Sequence, residues 1–201
     1  MSTENFNNTF VLLIGFAGTG KYTIGRELCR RTGAKLIDNH LINNPIFKVV
    51  NADGVTPLPA LVWDKVKDIR RIVYDAIREL SSPESGFVFT MELRQSNPGD
   101  HRAFLDLQEL AAGRQSLFVP VRLLCDIDEL CRRVGGPGRA EMFKEISLEN
   151  TRKKFEEDSV LDADHPNLRT IDVSRKSPLE SSNAILNEVN LIRIASGSNP
   201  R

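Results

Sequence analysis

An apolar run, Phe10 to Ile14, passes without a break into Gly15, and Gly18, Gly20 and Lys21 follow within the next six positions. This junction limits the possible folds more than any other stretch. A short strand with no polar alternation is buried on both faces, the environment of an inner strand in a parallel sheet. Parallel strands need crossovers, and crossovers are normally helices that cover the sheet. The chain supplies them. "KYTIGRELCRRTG" reads as a helix, with Ile24 and Leu28 on one face and Gly33 as its stop. "AKLID" is a second short strand. Residues 61–80 form the clearest helix, where Val62, Val66, Ile69, Val73, Ile77 and Leu80 make one apolar stripe.

The alternation continues. Strands are expected over residues 87–93, 116–125 and 168–173, with Pro120 fitting an edge strand or a strand start. Helices are expected over 101–113, 126–134, 147–158 with Ser147 as N-cap, and 178–194. There is no internal repeat and no low-complexity block. A length of 201 residues suits one domain over residues 1–201, with frayed ends at 1–8 and 195–201. The expected class is α/β, a parallel sheet with helices on both sides.

The loop after the first strand fits G-x-x-x-x-G-K between strand and helix. Glycines let successive backbone N–H groups turn inward around an anion, and the following helix points its positive end at the same place. The candidate nucleotide-binding residues are Gly15, Ala17, Gly18, Thr19, Gly20, Lys21, Tyr22 and Thr23, with Lys21 reaching the terminal phosphates. Tyr22 is a departure, because a small hydroxyl residue usually stands there beside Mg²⁺. Tyr22 either touches substrate or packs beside the loop. Thr23, one place later, is the candidate metal residue. No run of apolar residues ending in Asp supplies a second metal carboxylate, which weakens motor-ATPase and GTPase readings.

In open α/β sheets, groups that handle a second substrate lie at the carboxyl ends of strands. The second strand ends in Asp38, Asn39 and His40, and the third in Glu92 and Arg94. Asp38 is placed to orient or deprotonate an acceptor hydroxyl. The competing reading is that Asp38 or Asn39 caps the next helix. A basic stretch follows the fourth strand: Arg132 and Arg133, then "GGPGRAEMFKE" with Arg139 and Lys144. Glycines beside cations describe a mobile lid, about residues 135–147, that closes over phosphates and excludes water. Arg152, Lys153 and Lys154 read as a solvated helix face.

Composition excludes other classes. Lys+Arg and Asp+Glu are both 27, and such a balance argues against nucleic acid as a broad partner. Cys29, Cys125 and Cys131 match no metal spacing and read as buried thiols in a reducing compartment. The start "MSTENFNNTF" has no secretory pattern, and no apolar stretch is long enough for a membrane, so the expectation is cytoplasmic.

Together these pieces resemble the small P-loop kinases, such as adenylate, shikimate and gluconate kinases and chloramphenicol phosphotransferase. The likeness rests on "GFAGTGKYT", "AKLIDNH", "LLCDIDELCRRV" and "GGPGRAEMFKEISLEN", and spans nearly the whole chain. It looks closest to uncharacterised bacterial shikimate-kinase-like proteins, through Asn39-His40-Leu41, Pro137-Gly138-Arg139 and Lys144. The resemblance implies a P-loop NTPase three-layer α/β/α sandwich, a five-stranded parallel sheet of order 2-3-1-4-5, and ATP with Mg²⁺ as cofactors. It implies an acceptor between Asp38 and the third strand, and Arg139 with Arg132 or Arg133 stabilising the transferring charge. Two patterns are absent: the shikimate kinase glycine triplet and the adenylate kinase Asp-Gly-x-Pro-Arg, of which only Arg94 is comparably placed. The expected activity is an ATP-dependent small-molecule kinase, monomeric or homodimeric, with Asn39, His40, Glu92, Arg94 and Lys144 on the substrate side. The alternatives are a non-catalytic ATP-binding sensor or a nucleotide kinase.

Overall fold

The computed structural model describes residues 5–136 and 144–196. Five parallel strands form one sheet: β1 (Thr9–Ile14), β2 (Lys35–Asp38), β3 (Phe87–Met91), β4 (Leu117–Leu124) and β5 (Arg169–Asp172). Their order is β2-β3-β1-β4-β5. The crossovers are α1 (Lys21–Thr32), α2 (Asn39–Val49), α3 (Ala60–Leu80), α4 (Pro98–Gly113), α5 (Ile127–Val134), α6 (Leu148–Glu157) and the closing α7 (Pro178–Ala195). Every residue of β1 is buried, as its unbroken apolar run requires. α1 packs on α7 and β3, while α4 packs on α3 and β4, so helices cover the sheet in three layers. The order places the ends of β1, β2 and β3 side by side, and these ends frame the site.

Several local expectations are corrected. Pro120 is not on an edge strand. β4 lies between β1 and β5, but its ladder with β5 begins only at Val121. Phe118 O, two residues earlier and therefore on the same side, accepts from Asn167 Nδ2. The missing proline N–H thus faces a side where no strand pairing is lost. Leu80 is 82 % exposed and leaves the apolar stripe of α3, while Tyr74 is buried in its place. At the start, Phe6 is 2 % exposed within the core and Arg193 bonds Asn5 O, so fraying does not reach residue 5.

α2 was not among the expected helices. It contains Pro45, which removes one intrahelical bond, and the pair Asn43-Asn44. Ile42 and Phe47 nevertheless bury against Val62 and Val66 of α3 in a second, smaller core. Tertiary packing here outweighs local propensity.

Candidate active site

The loop between β1 and α1 is held open by two glycines in left-handed conformation. Gly18 has φ 90° and Gly20, the N-cap of α1, has φ 88°. An added Cβ at Gly18 would stand 3.0 Å from Leu130 O, so the position is closed to side chains sterically as well as conformationally. Lys21 folds along the loop, its Nζ donating to Gly15 O at 2.7 Å and Phe16 O at 2.8 Å. Thr19 is buried and its hydroxyl braces the turn on Phe16 O. The Thr23 hydroxyl donates to Gly20 O at 2.8 Å. Tyr22 packs between Arg26, 5.7 Å from its ring centre, and Lys144 at 4.9 Å. It therefore holds a cation beside the loop.

Across from the loop, Asp38 fulfils the capping reading. It is the N-cap of α2, its Oδ2 accepting from His40 N, and its Oδ1 accepts from Thr90 Oγ1 of β3. A carboxylate has lone pairs beyond those two bonds, and Asp38 lines the cleft. Asn39 N donates to Thr90 Oγ1, and Asn39 Oδ1 accepts from Arg70 Nη2 at 3.4 Å. His40 presents a buried Nδ1 without a partner. Its burial lowers its pKa; Asp38 opposes that and Lys144 adds to it, so the ring is neutral near pH 7.

Glu92 ties the loop to the far wall. Its Oε2 accepts from Ala17 N at 2.9 Å and its Oε1 from Lys154 Nζ at 2.9 Å. Burial pushes its pKa up, but Lys154, Lys21 and these bonds outweigh that and hold it below the ordinary carboxylate value. Arg94 donates its backbone N–H to Asp100 Oδ2, with its side chain 3.7 Å away.

The two arginines ending α5 separate. Arg132 has 72 % of its side chain exposed and pairs with Glu129. Arg133 has 21 % exposed and reaches the back of the loop at Thr19 O (3.4 Å), with Val173 O at 3.0 Å and Glu129 at 2.6 Å. Arg139 lies outside the described residues, as do residues 137–143 of the stretch, about 135–147, expected to be a lid. Lys154, read from sequence as solvated, instead faces Glu92, on the same face of α6 as the buried Thr151. Arg70, Thr90, Asn43 and Trp63 also line the site and were missed.

The loop, Asp38, His40, Glu92 and Lys154 share a cleft of about 1120 Å³ running from Gly18 and Lys21 past Asp38 and Arg70, and neither Arg132 nor Arg133 lines it. No protein-family model matches the chain, and no curated protein does. Solved structures do. A gluconokinase from Sinorhizobium meliloti 1021 superposes with TM-score 0.65 at 14% identity, over 97% of this chain and 99% of that one. A thymidylate kinase from Candida albicans gives 0.62 at 15%, over 93% of each chain. A shikimate kinase from Aquifex aeolicus vf5 gives 0.53 at 14%, over 92% and 99%. The chain has the fold of the small P-loop kinases. These three P-loop kinases are named for different acceptors, so the fold itself leaves the acceptor to the cleft's side chains.

Proposed function

We propose that the protein is an ATP-dependent phosphotransferase acting on a small molecule with a hydroxyl or phosphate acceptor. One observation carries this reading: the lysine-bearing loop and Asp38 open onto the same cleft. The loop fits a nucleotide's phosphates, since its glycine conformations leave a concave strip of backbone at the N-terminus of α1. Bound magnesium–ATP would supply the phosphoryl group. Gly15, Ala17, Gly18, Thr19 and Gly20 would cradle the phosphates, and Lys21 would neutralise their charge.

Thr23 offers its remaining lone pairs to the metal or its water. Among the described residues no group of three His, Cys, Asp or Glu is arranged to hold an ion. That donor set suits Mg²⁺, which keeps most of its water and is held largely through phosphates. Asp38 would orient the acceptor hydroxyl, with neutral His40 beside it. Arg139 and Lys144 would offset charge on the transferring group, Arg133 would brace the loop from behind, and Glu92 would hold Lys154 and the loop in register.

The test is ATP binding and acceptor-dependent ADP release across pooled sugar acids, nucleosides, nucleotides and antibiotic alcohols. It is run on wild type and Asp38→Asn, which keeps a helix cap but removes the charge. Acceptor-dependent turnover lost in the variant establishes the kinase. Tight ATP binding without such turnover favours a nucleotide sensor, the reading that Tyr22, in the place of the usual small hydroxyl residue, supports.

A further inference from the structure

The acceptor wall has a chemistry of its own. Trp63, Lys67 and Arg70 recur at i, i+4 and i+7 on α3, so they share one face, and all three line the cleft. Trp63 is the chain's one tryptophan and stays 43 % exposed. It stands edge-on to Phe47 of α2, with ring centres 5.7 Å apart at 88°. Val55 and Leu58 continue this apolar wall. An aromatic surface left open inside a concave site, not on the outer surface, marks where apolar ligand area goes.

Polar groups beside it lack partners. Arg70 has a buried Nε with no hydrogen bond, and Asp100, whose carboxyl feels its charge, is ion-paired with Arg94 rather than with it. Among the described residues its one hydrogen bond is the 3.4 Å contact with Asn39. Asn43 is 3 % exposed, lines the cleft, and carries an Oδ1 with no donor. Buried polar atoms normally find partners, so these ask for a ligand anion and a ligand donor.

We infer that the acceptor is a ring-bearing anion: a planar ring packed on Trp63, an anionic group at Arg70, and a hydrogen-bond donor at Asn43, while Lys67 beside them is already paired with Asp64. A polyhydroxylated chain would strand its hydroxyls against Trp63, Val55 and Leu58. Aryl carboxylates and nucleoside monophosphates both present the required chemistry. That this ligand is the phosphoryl acceptor rests on the kinase reading above; that it binds does not.

Because Trp63 is the sole tryptophan, its emission reports on this wall directly. The whole protein is titrated, without nucleotide, with hydroxylated aryl carboxylates, nucleoside monophosphates and aldonic acids. Calorimetry repeats the series on wild type, Trp63→Ala and Arg70→Gln. One ring-bearing class should change the emission saturably and bind about tenfold or more tighter than aldonic acids. Each substitution should weaken that binding about tenfold while ATP affinity holds. The class that binds identifies the source. Aldonic acids binding as tightly as the ring compounds, neither ring class binding, or an unchanged affinity in Trp63→Ala would each overturn the inference. A turnover assay keeps the two readings apart. Ring-anion binding without phosphoryl transfer removes the kinase and leaves the ligand. Transfer to an aldonic acid, indifferent to Trp63→Ala, removes the ligand and leaves the kinase.

Discussion

The two walls of the cleft are built in different ways. The phosphate wall is backbone: β1 is buried along its whole length, and the loop conformations at Gly18 and Gly20 are fixed before any side chain is considered. It stands on the main core. The acceptor wall is side chains on two helices, α2 and α3, whose own small core is Ile42, Phe47, Val62 and Val66. It joins the sheet through β2, a four-residue edge strand. A group common to all substrates is thus held by rigid main chain, and the variable partner by an arm that can change its surface without disturbing the loop.

The largest effect should come from breaking the arm's core. Phe47→Ala removes a side chain that is 6 % exposed, at a cost of about 3–5 kcal/mol. If the walls are separate units, amides of α2 and α3 lose hydrogen-exchange protection while those of β1 and β3 keep theirs, and ATP affinity is unchanged. Equal loss in β1 would make them one cooperative unit and undo the comparison.

On the other wall, Lys21→Met should lower phosphoryl transfer about 100- to 1000-fold, as loss of one preorganised positive donor does. Acceptor affinity, read by Trp63 emission, should stay level. A parallel fall in acceptor affinity would mean that Lys21 shapes both walls.

The same difference governs what the sequence shows. The phosphate wall is legible because its demands are local: an apolar strand, glycines at fixed spacing, a lysine and a helix. The observed strand order is the one that the resemblance to small P-loop kinases implied. The acceptor wall depends on which residues of separate helices meet. Pro45 and two asparagines hid α2, though Ile42 and Phe47 bury it. Arg70 lay unremarked among the charges of α3. Arg132 and Arg133 are adjacent in sequence, and adjacent helical residues point about 100° apart. Only the position of the loop beneath α5 decides between them.

Glu92 ties the phosphate wall to α6, and it gives a smaller effect. Lys154→Ala leaves the half-buried Glu92 carboxylate without its ion pair, though still bonded by Ala17 N, costing about 1 kcal/mol. The pH dependence follows. The folded pKa of Glu92 lies below its ordinary 4.5, so its stabilisation is full above that value and is lost as pH falls through the lowered one. His40 acts earlier. Its folded pKa lies below 6.5 through burial, so below that pH the unfolded chain takes up a proton the folded chain resists, and stability falls. His165 shifts in the same direction. Denaturation midpoints should therefore drop first below about pH 6.5 and again below about pH 4.5. His40→Gln should shrink the first step, and Lys154→Ala the second.

The smallest effect tests the division inside α5. Arg132→Ala removes an exposed i,i+3 pair with Glu129, worth about 0.2–1 kcal/mol, and touches neither wall. Arg133→Ala removes bonds to the loop carbonyl of Thr19 and to Val173 and Ser174 after β5. It should destabilise more than Arg132→Ala and should weaken ATP binding, because the phosphate wall loses a brace on its main chain. Trp63 emission with bound acceptor should respond to neither. Matching losses of ATP affinity in the two variants would show that the loop feels only the net charge of α5, not the brace. The rigidity of the phosphate wall would then have to come from the glycine turns and the β1 core alone.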